Sequence, residues 1–226
     1  MYDSRLQALR RLELENGVSC VALMPGANLH YFTGLTTHLS ERPVVAFVPA
    51  EGPLAVLLPE LEAPAAGDAL SQDVRLFPYR DEEGHEHTFH QVAGELGIEG
   101  KPIGVEYLAM RVLEMRRIEQ AFPASPLLAV EPWMPQLRMA KDEIELGHMR
   151  RAIEIAEQAM QDIMSKGAIR PGRTELEVAA DLKMAMLRGG GQGEAFGPIV
   201  VAGPNSASPH SGPSDRPMAE GELVVI

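Results

Sequence analysis

Two short runs constrain this chain more than any other feature. Residues 44–49 read VVAFVP and residues 54–59 read LAVLLP. A strand with one wet face alternates apolar and polar side chains, and these do not. A strand that is apolar at every position must be covered on both faces, which calls for a sheet between layers of helix. Only a short AEG connection separates the runs, so the spacing predicts a hairpin.

The surrounding sequence supplies the layers. Residues 3–16 read as an amphipathic helix with Leu6, Leu9 and Leu12 on one side, closed by Gly17. VSCVALM follows as a strand, and PGANLHYFTGL reads as a turn-rich connection. VRLFPY is a further strand, and residues 80–98 read as loop and then helix. PIGVE, AMRVLEMRRIEQAF and LLAVE read as strand, helix and strand. This alternation predicts an α/β domain over residues 1–132. PWMPQLR, with two prolines around the only tryptophan, marks the boundary of a second domain over residues 133–226.

From Lys141 the chain reads as a long helix, with Met149, Ile153, Ala156, Met160 and Ile163 at three- and four-residue intervals. Asp142, Glu143 and Glu145 fall in its first turn, where the helix dipole favours acids, and Lys166 and Gly167 close it. A second helix opens with Thr174 and Glu177 as a T-x-x-E capping box and stops at Gly189, Gly190 and Gly191. AFGPIVVAG is then a strand, a loop follows, and ELVVI begins another strand.

Composition excludes several functions. The net charge is −12 and no basic cluster offers a footprint for nucleic acid. No run approaches the roughly 20 apolar residues of a membrane helix, and the first residues lack the apolar core of a targeting segment. The single cysteine, Cys20, lies in an apolar run and reads as a buried hydrophobe, which fits a reducing, cytoplasmic setting.

Few residues invite chemistry. His85, His87 and His90 are spaced closely enough to suggest zinc, but they lie in an acidic run with no cysteine nearby, which favours a solvated helix start. GGGQGEAFG follows a helix and precedes a strand, the reverse of a nucleotide-binding fingerprint. Arg111, Arg116 and Arg117 alternate with Glu114 and Glu119, the pattern of a solvated face. His210 differs: it stands in a loop of Gly, Pro, Ser and Asn where packing at helix or strand spacing does not account for it.

Three segments, taken in order, resemble the start of a pita-bread metallohydrolase domain. LRMAKDEIELGHMRRAIEIAEQAM resembles its entry helix, with Arg138, Lys141 and Glu143 in an R-x-x-K-x-E-I style. GRTELEVAADL resembles its G-x-T-E helix. AFGPIVVAGPNSASPHSGPSDRPMAEGELVVI resembles its strand, histidine loop and next strand. The first part, through ANLHYFTGL, AVLLPELE and IGVE, is similar to the N-terminal domain of creatinase and the Xaa-Pro peptidases (aminopeptidase P and prolidase). The fold implied is an α/β creatinase-like domain followed by the first part of an α+β pita-bread domain.

What the resemblance implies goes further. The parent activity would be metal-dependent hydrolysis of the peptide bond preceding proline. Two divalent ions (Mn, Co or Zn) would be held by carboxylates and an imidazole lying beyond Ile226, so no metal ligand is expected within residues 1–226. The chain by itself would then be inactive, and a half-built sheet with a bare edge predicts poor solubility. His210 would be both the catalytic and the substrate-binding group of this half, donating to the oxyanion or moving a proton. The partners implied are a proline-containing peptide and a second copy of the chain. Two alternatives stay open: a creatinase-like amidinohydrolase, and a non-catalytic pita-bread protein that binds peptides or histones.

Overall fold

The computed structural model describes residues 2–70 and 73–226 and divides into two compact units, Met1–Ala140 and Lys141–Ile226. The first holds a six-stranded mixed sheet of order β4-β3-β2-β1-β5-β6. Its strands are β1 (Cys20–Leu23), β2 (Val45–Pro49), β3 (Leu54–Pro59), β4 (Val74–Tyr79), β5 (Ile103–Val105) and β6 (Leu127–Ala129). β2 pairs antiparallel with both β1 and β3, so the expected hairpin is present, and the other neighbours run parallel.

The uniformly apolar strands feed two cores, one on each face. Val21, Leu23, Ala46, Val48, Leu54, Val56 and Leu58 point to one side, and Cys20, Ala22, Val45, Phe47, Ala55 and Leu57 to the other. Helices α1 (Tyr2–Glu15), α2 (Ala27–Thr33) and α3 (Ala63–Ala69) cover the first face through Leu6, Leu9, Leu29, Phe32 and Ala66. Helices α4 (Glu86–Leu96) and α5 (Val112–Ala121) cover the second through Phe89, Val92 and Ile118.

Some expectations needed correction. PGANLHYFTGL is not simply a turn: it contains α2, because Leu29, Phe32 and Thr33 have a core to enter and Gly34, at φ 83°, ends the helix in the left-handed region. Glu114 is not on a solvated face: it is fully buried, and its carboxylate takes both Nε and Nη2 of Arg111. The PWMPQLR segment stays with the first unit, because Trp133, Met134 and Leu137 pack on its core and its last three residues enter a short helix α6 (Gln136–Met139). The two units therefore divide after Ala140, where the sequence reading divides the chain after residue 132.

The second unit is a helix pair with a small hairpin. Helix α7 (Glu143–Ser165) is capped by Asp142, which accepts from the Glu145 N–H while the Glu145 side chain accepts from the Asp142 N–H. Asp142 thus precedes the first turn. Helix α8 (Glu175–Arg188) carries the expected Thr174–Glu177 capping box. The two strands are shorter than the sequence suggests: β7 (Val201–Ala202) and β8 (Val224–Val225) pair antiparallel over two residues each.

The apolar stripe of α7 also resolves differently. Met149 and Ile153 are about half exposed, at 49% and 53%. The row that meets α8 is Ile155, Ala159 and Ile163, with Met160 at its side. At 1.5 Å per residue the 23-residue α7 is about 35 Å long and the 14-residue α8 about 21 Å. Arg151 reaches the carbonyl of Gly189 just past the end of α8, so the turns of α7 before it extend beyond that partner.

Candidate functional site

The loop that carries His210 is built from the start of α8 outward. A helix begins with backbone N–H groups that have no partner within the helix. Here the N–H of Glu175 donates to the carbonyl of Arg216, that of Leu176 to the carbonyl of Ser214, and that of Glu177 to Thr174 Oγ1. The returning chain therefore caps the helix. Gly172 and Arg173 extend the contact by exchanging backbone hydrogen bonds with Met218, and Thr174 bridges to Pro217.

At the centre of this arrangement lies the fully buried Glu175 carboxylate. Its Oε1 accepts from the Ala202 N–H at 2.7 Å and from Asn205 Nδ2 at 3.1 Å. Its Oε2 accepts from Ser214 Oγ at 2.6 Å, the Ser214 N–H at 3.0 Å and Asn205 Nδ2 at 3.0 Å. Burial alone pushes a carboxyl up. Here the donors from Ser214, Ala202 and Asn205 outweigh burial and hold the group at about 2, so it stays ionised at neutral pH. Ser214 Oγ in turn accepts from Asn205 Nδ2 at 3.2 Å and the Arg216 N–H at 3.3 Å. Every donor comes from one end or the other of the His210 loop.

The far end of the loop is clamped as well. Arg216 pairs through both terminal nitrogens with the Glu222 carboxylate, one of these bonds at 2.9 Å. Glu222 also accepts from the Ala219 N–H, and the pairing holds its carboxyl below the usual range. Gly203, at φ 51°, starts the loop in a conformation that L side chains avoid, and its N–H donates to the Leu223 carbonyl.

His210 itself is exposed, in a turn at the tip of this anchored loop. Among the described residues its ring has no hydrogen-bond partner. The three other histidines read from the sequence do not converge. The His85 ring lies between Tyr79 and Phe89, 5.8 and 6.1 Å from their centroids, while His87 and His90 are exposed. Residues 189–197 form a polar connection after α8, with Lys183 reaching Glu194 at 2.8 Å.

These features, a creatinase-like sheet domain and a helix pair holding a histidine loop, match known families in the same order. Residues 5–140 match the Creatinase/Prolidase N-terminal domain, and residues 147–226 match metallopeptidase family M24. The chain belongs to the creatinase/prolidase family, whose N-terminal domain its first unit carries. A probable dipeptidase PepE of Mycobacterium tuberculosis is 31% identical over 100% of this chain and 59% of its own length. An Xaa-Pro dipeptidase of Pyrococcus furiosus is 29% identical over 98% of this chain and 59% of its own. The crystal structure of dipeptidase PepE from Mycobacterium ulcerans superposes with a TM-score of 0.81 at 30% identity, covering 99% of this chain and 58% of that one. The chain thus spans about three-fifths of the curated relatives it matches.

The match of residues 147–226 to a metallopeptidase family implies divalent metal. Among the described residues, no group of three or more His, Cys, Asp or Glu could hold an ion. By themselves the described residues of the M24 segment do not fit a metal centre. Likewise, no helix among the described residues is long and apolar enough to cross a membrane.

Glu175 was the residue that sequence reasoning passed over. It stood in plain view as the E of G-x-T-E, but the adjacent capping box offered a local reason for acids there. The donors that define its role lie 27, 30 and 39 positions further on.

Proposed function

We propose that the complete protein is an Xaa-Pro peptidase, hydrolysing the bond before a proline with two divalent ions (Mn, Co or Zn) held outside residues 1–226. It acts as a cytoplasmic homodimer on proline-containing peptides. The observation that carries the reading is the co-linear match of both units to creatinase/prolidase and M24 families, at 31% and 29% identity to relatives named as dipeptidases.

His210 is the group this chain contributes to chemistry. An X–Pro bond is a tertiary amide, so its nitrogen has no N–H and must acquire a proton to leave. An imidazole is suited to donate to the carbonyl oxygen as charge builds there, or to pass a proton to that nitrogen. Exposure at the tip of a loop whose two ends are tied leaves the ring open to a substrate.

The test is Mn²⁺-supported cleavage of an Xaa-Pro dipeptide by the complete protein against its His210→Ala variant. Turnover should fall about 100-fold or more with metal content unchanged. Equal turnover in the variant would remove His210 from the chemistry. An intact protein that hydrolyses creatine and leaves Xaa-Pro peptides untouched would move the assignment to the amidinohydrolases.

A further inference from the structure

We infer that Glu175 is the positioning residue for His210, its buried carboxylate setting the span and register of the loop that presents the imidazole. The inference rests on the role proposed for His210 and deepens it. Its basis is the way five hydrogen bonds converge. One carboxylate holds Ala202 at the end of β7, Asn205 in the following 3-10 turn (Gly203–Ala207), and both the N–H and the hydroxyl of Ser214, where the loop returns. Eleven residues separate Ala202 from Ser214, and His210 lies among them. Tying both ends to one rigid group fixes the closure of the loop without touching the ring. Arg216 and Glu222 brace the outer side.

Charge and shape both matter at this position. Ala202 N–H and Ser214 N–H are obligate donors, one aimed at each oxygen, and the Asn205 amide spans both. A glutamine has the same size but carries an NH₂ in place of one oxygen. Whichever way it is turned, an N–H then meets an N–H. Glu175→Gln therefore releases one end of the loop with almost no change of volume.

The experiment compares the complete protein with Glu175→Gln, His210→Ala and the double variant. Glu175→Gln should lower kcat by about 10- to 100-fold with little change in KM, the scale of a misplaced group. The double variant should be no slower than His210→Ala, since a residue that acts through the ring has nothing left to position. Asp142→Ala, which removes a distant helix cap in the same unit, controls for simple loss of stability and should keep wild-type kcat. Ser214→Ala should reduce kcat and Ser214→Thr restore it, which keeps the question open to measurement if Glu175→Gln does not fold.

Two readouts need no activity. Hydrogen exchange should show lost protection at Ala202 and across 203–214 in Glu175→Gln, with the first unit unaffected. The His210 ring resonances should shift and broaden. If the wild type cleaves no Xaa-Pro peptide, the proposed function fails and these two readouts decide the inference alone. Wild-type kcat with an ordered loop in Glu175→Gln overturns the inference while leaving the function standing. So does a double variant whose losses multiply.

Discussion

Glu13 is the group whose behaviour tests the physical reading of the first unit most sharply. It lies on α1, is fully buried, and among the described residues neither carboxyl oxygen has a hydrogen-bond partner. Burial pushes its pKa up from 4.5 to about 8, against the weaker opposing pulls of the Arg10 guanidinium and of the Val21 backbone N–H, which lies nearby without a well-formed hydrogen bond. The folded protein therefore holds this proton over a pH range in which the unfolded chain has released it. Below 4.5 both states are protonated and the group adds no pH dependence. As pH rises from 4.5 to 8 the unfolded chain is favoured, so stability falls. Above 8 the dependence levels off.

At 1.36 kcal/mol per pH unit, the loss between pH 5 and pH 7 is about 2 to 3 kcal/mol. Glu13→Gln removes the ionisation and keeps the shape. It should match the wild type within about 1 kcal/mol at pH 5 and exceed it by about 2 to 3 kcal/mol at pH 7. Urea unfolding followed by fluorescence measures this, because Trp133, the only tryptophan, packs against the core that also holds Leu6 and Leu9 of α1. Stability curves that stay parallel from pH 5 to pH 7 would mean that Glu13 is hydrated or paired in solution, and would refute the argument.

Two further outcomes follow from packing. A Cβ at Gly104 in β5 would stand 2.7 Å from Val130 Cγ1 and 3.0 Å from Val21 Cγ2, both in fully buried side chains, so Gly104→Ala should lower the stability of the first unit by about 1 to 3 kcal/mol in the same unfolding assay. Cys20 is fully buried, and burial raises its thiol pKa well above 9. It should resist alkylation by iodoacetamide in the native protein and react once urea unfolds the first unit; rapid labelling without denaturant would contradict its burial.

The sequence by itself determined the parts of this protein that are written in local pattern. Residues 44–49 and 54–59 announced strands covered on both faces, because the period of a strand sends alternate side chains to opposite sides and none of these is polar. Thr174 and Glu177 announced a capping box because its two hydrogen bonds span only three residues. The order of the motifs was enough to identify the creatinase-like and M24 segments.

Tertiary structure alone decided what depends on distant partners. PGANLHYFTGL became helical at α2 because a core was available for Leu29 and Phe32. Periodicity marked an apolar stripe on α7, but the length and position of α8 determined which row was covered. Glu13, Glu114 and Glu175 look alike in the sequence. Among the described residues, folding left the first without a hydrogen-bond partner, paired the second with Arg111, and surrounded the third with donors from Ala202, Asn205 and Ser214. The ionisation of a buried carboxyl is set by the dipoles and charges packed around it, and those come from residues far away along the chain.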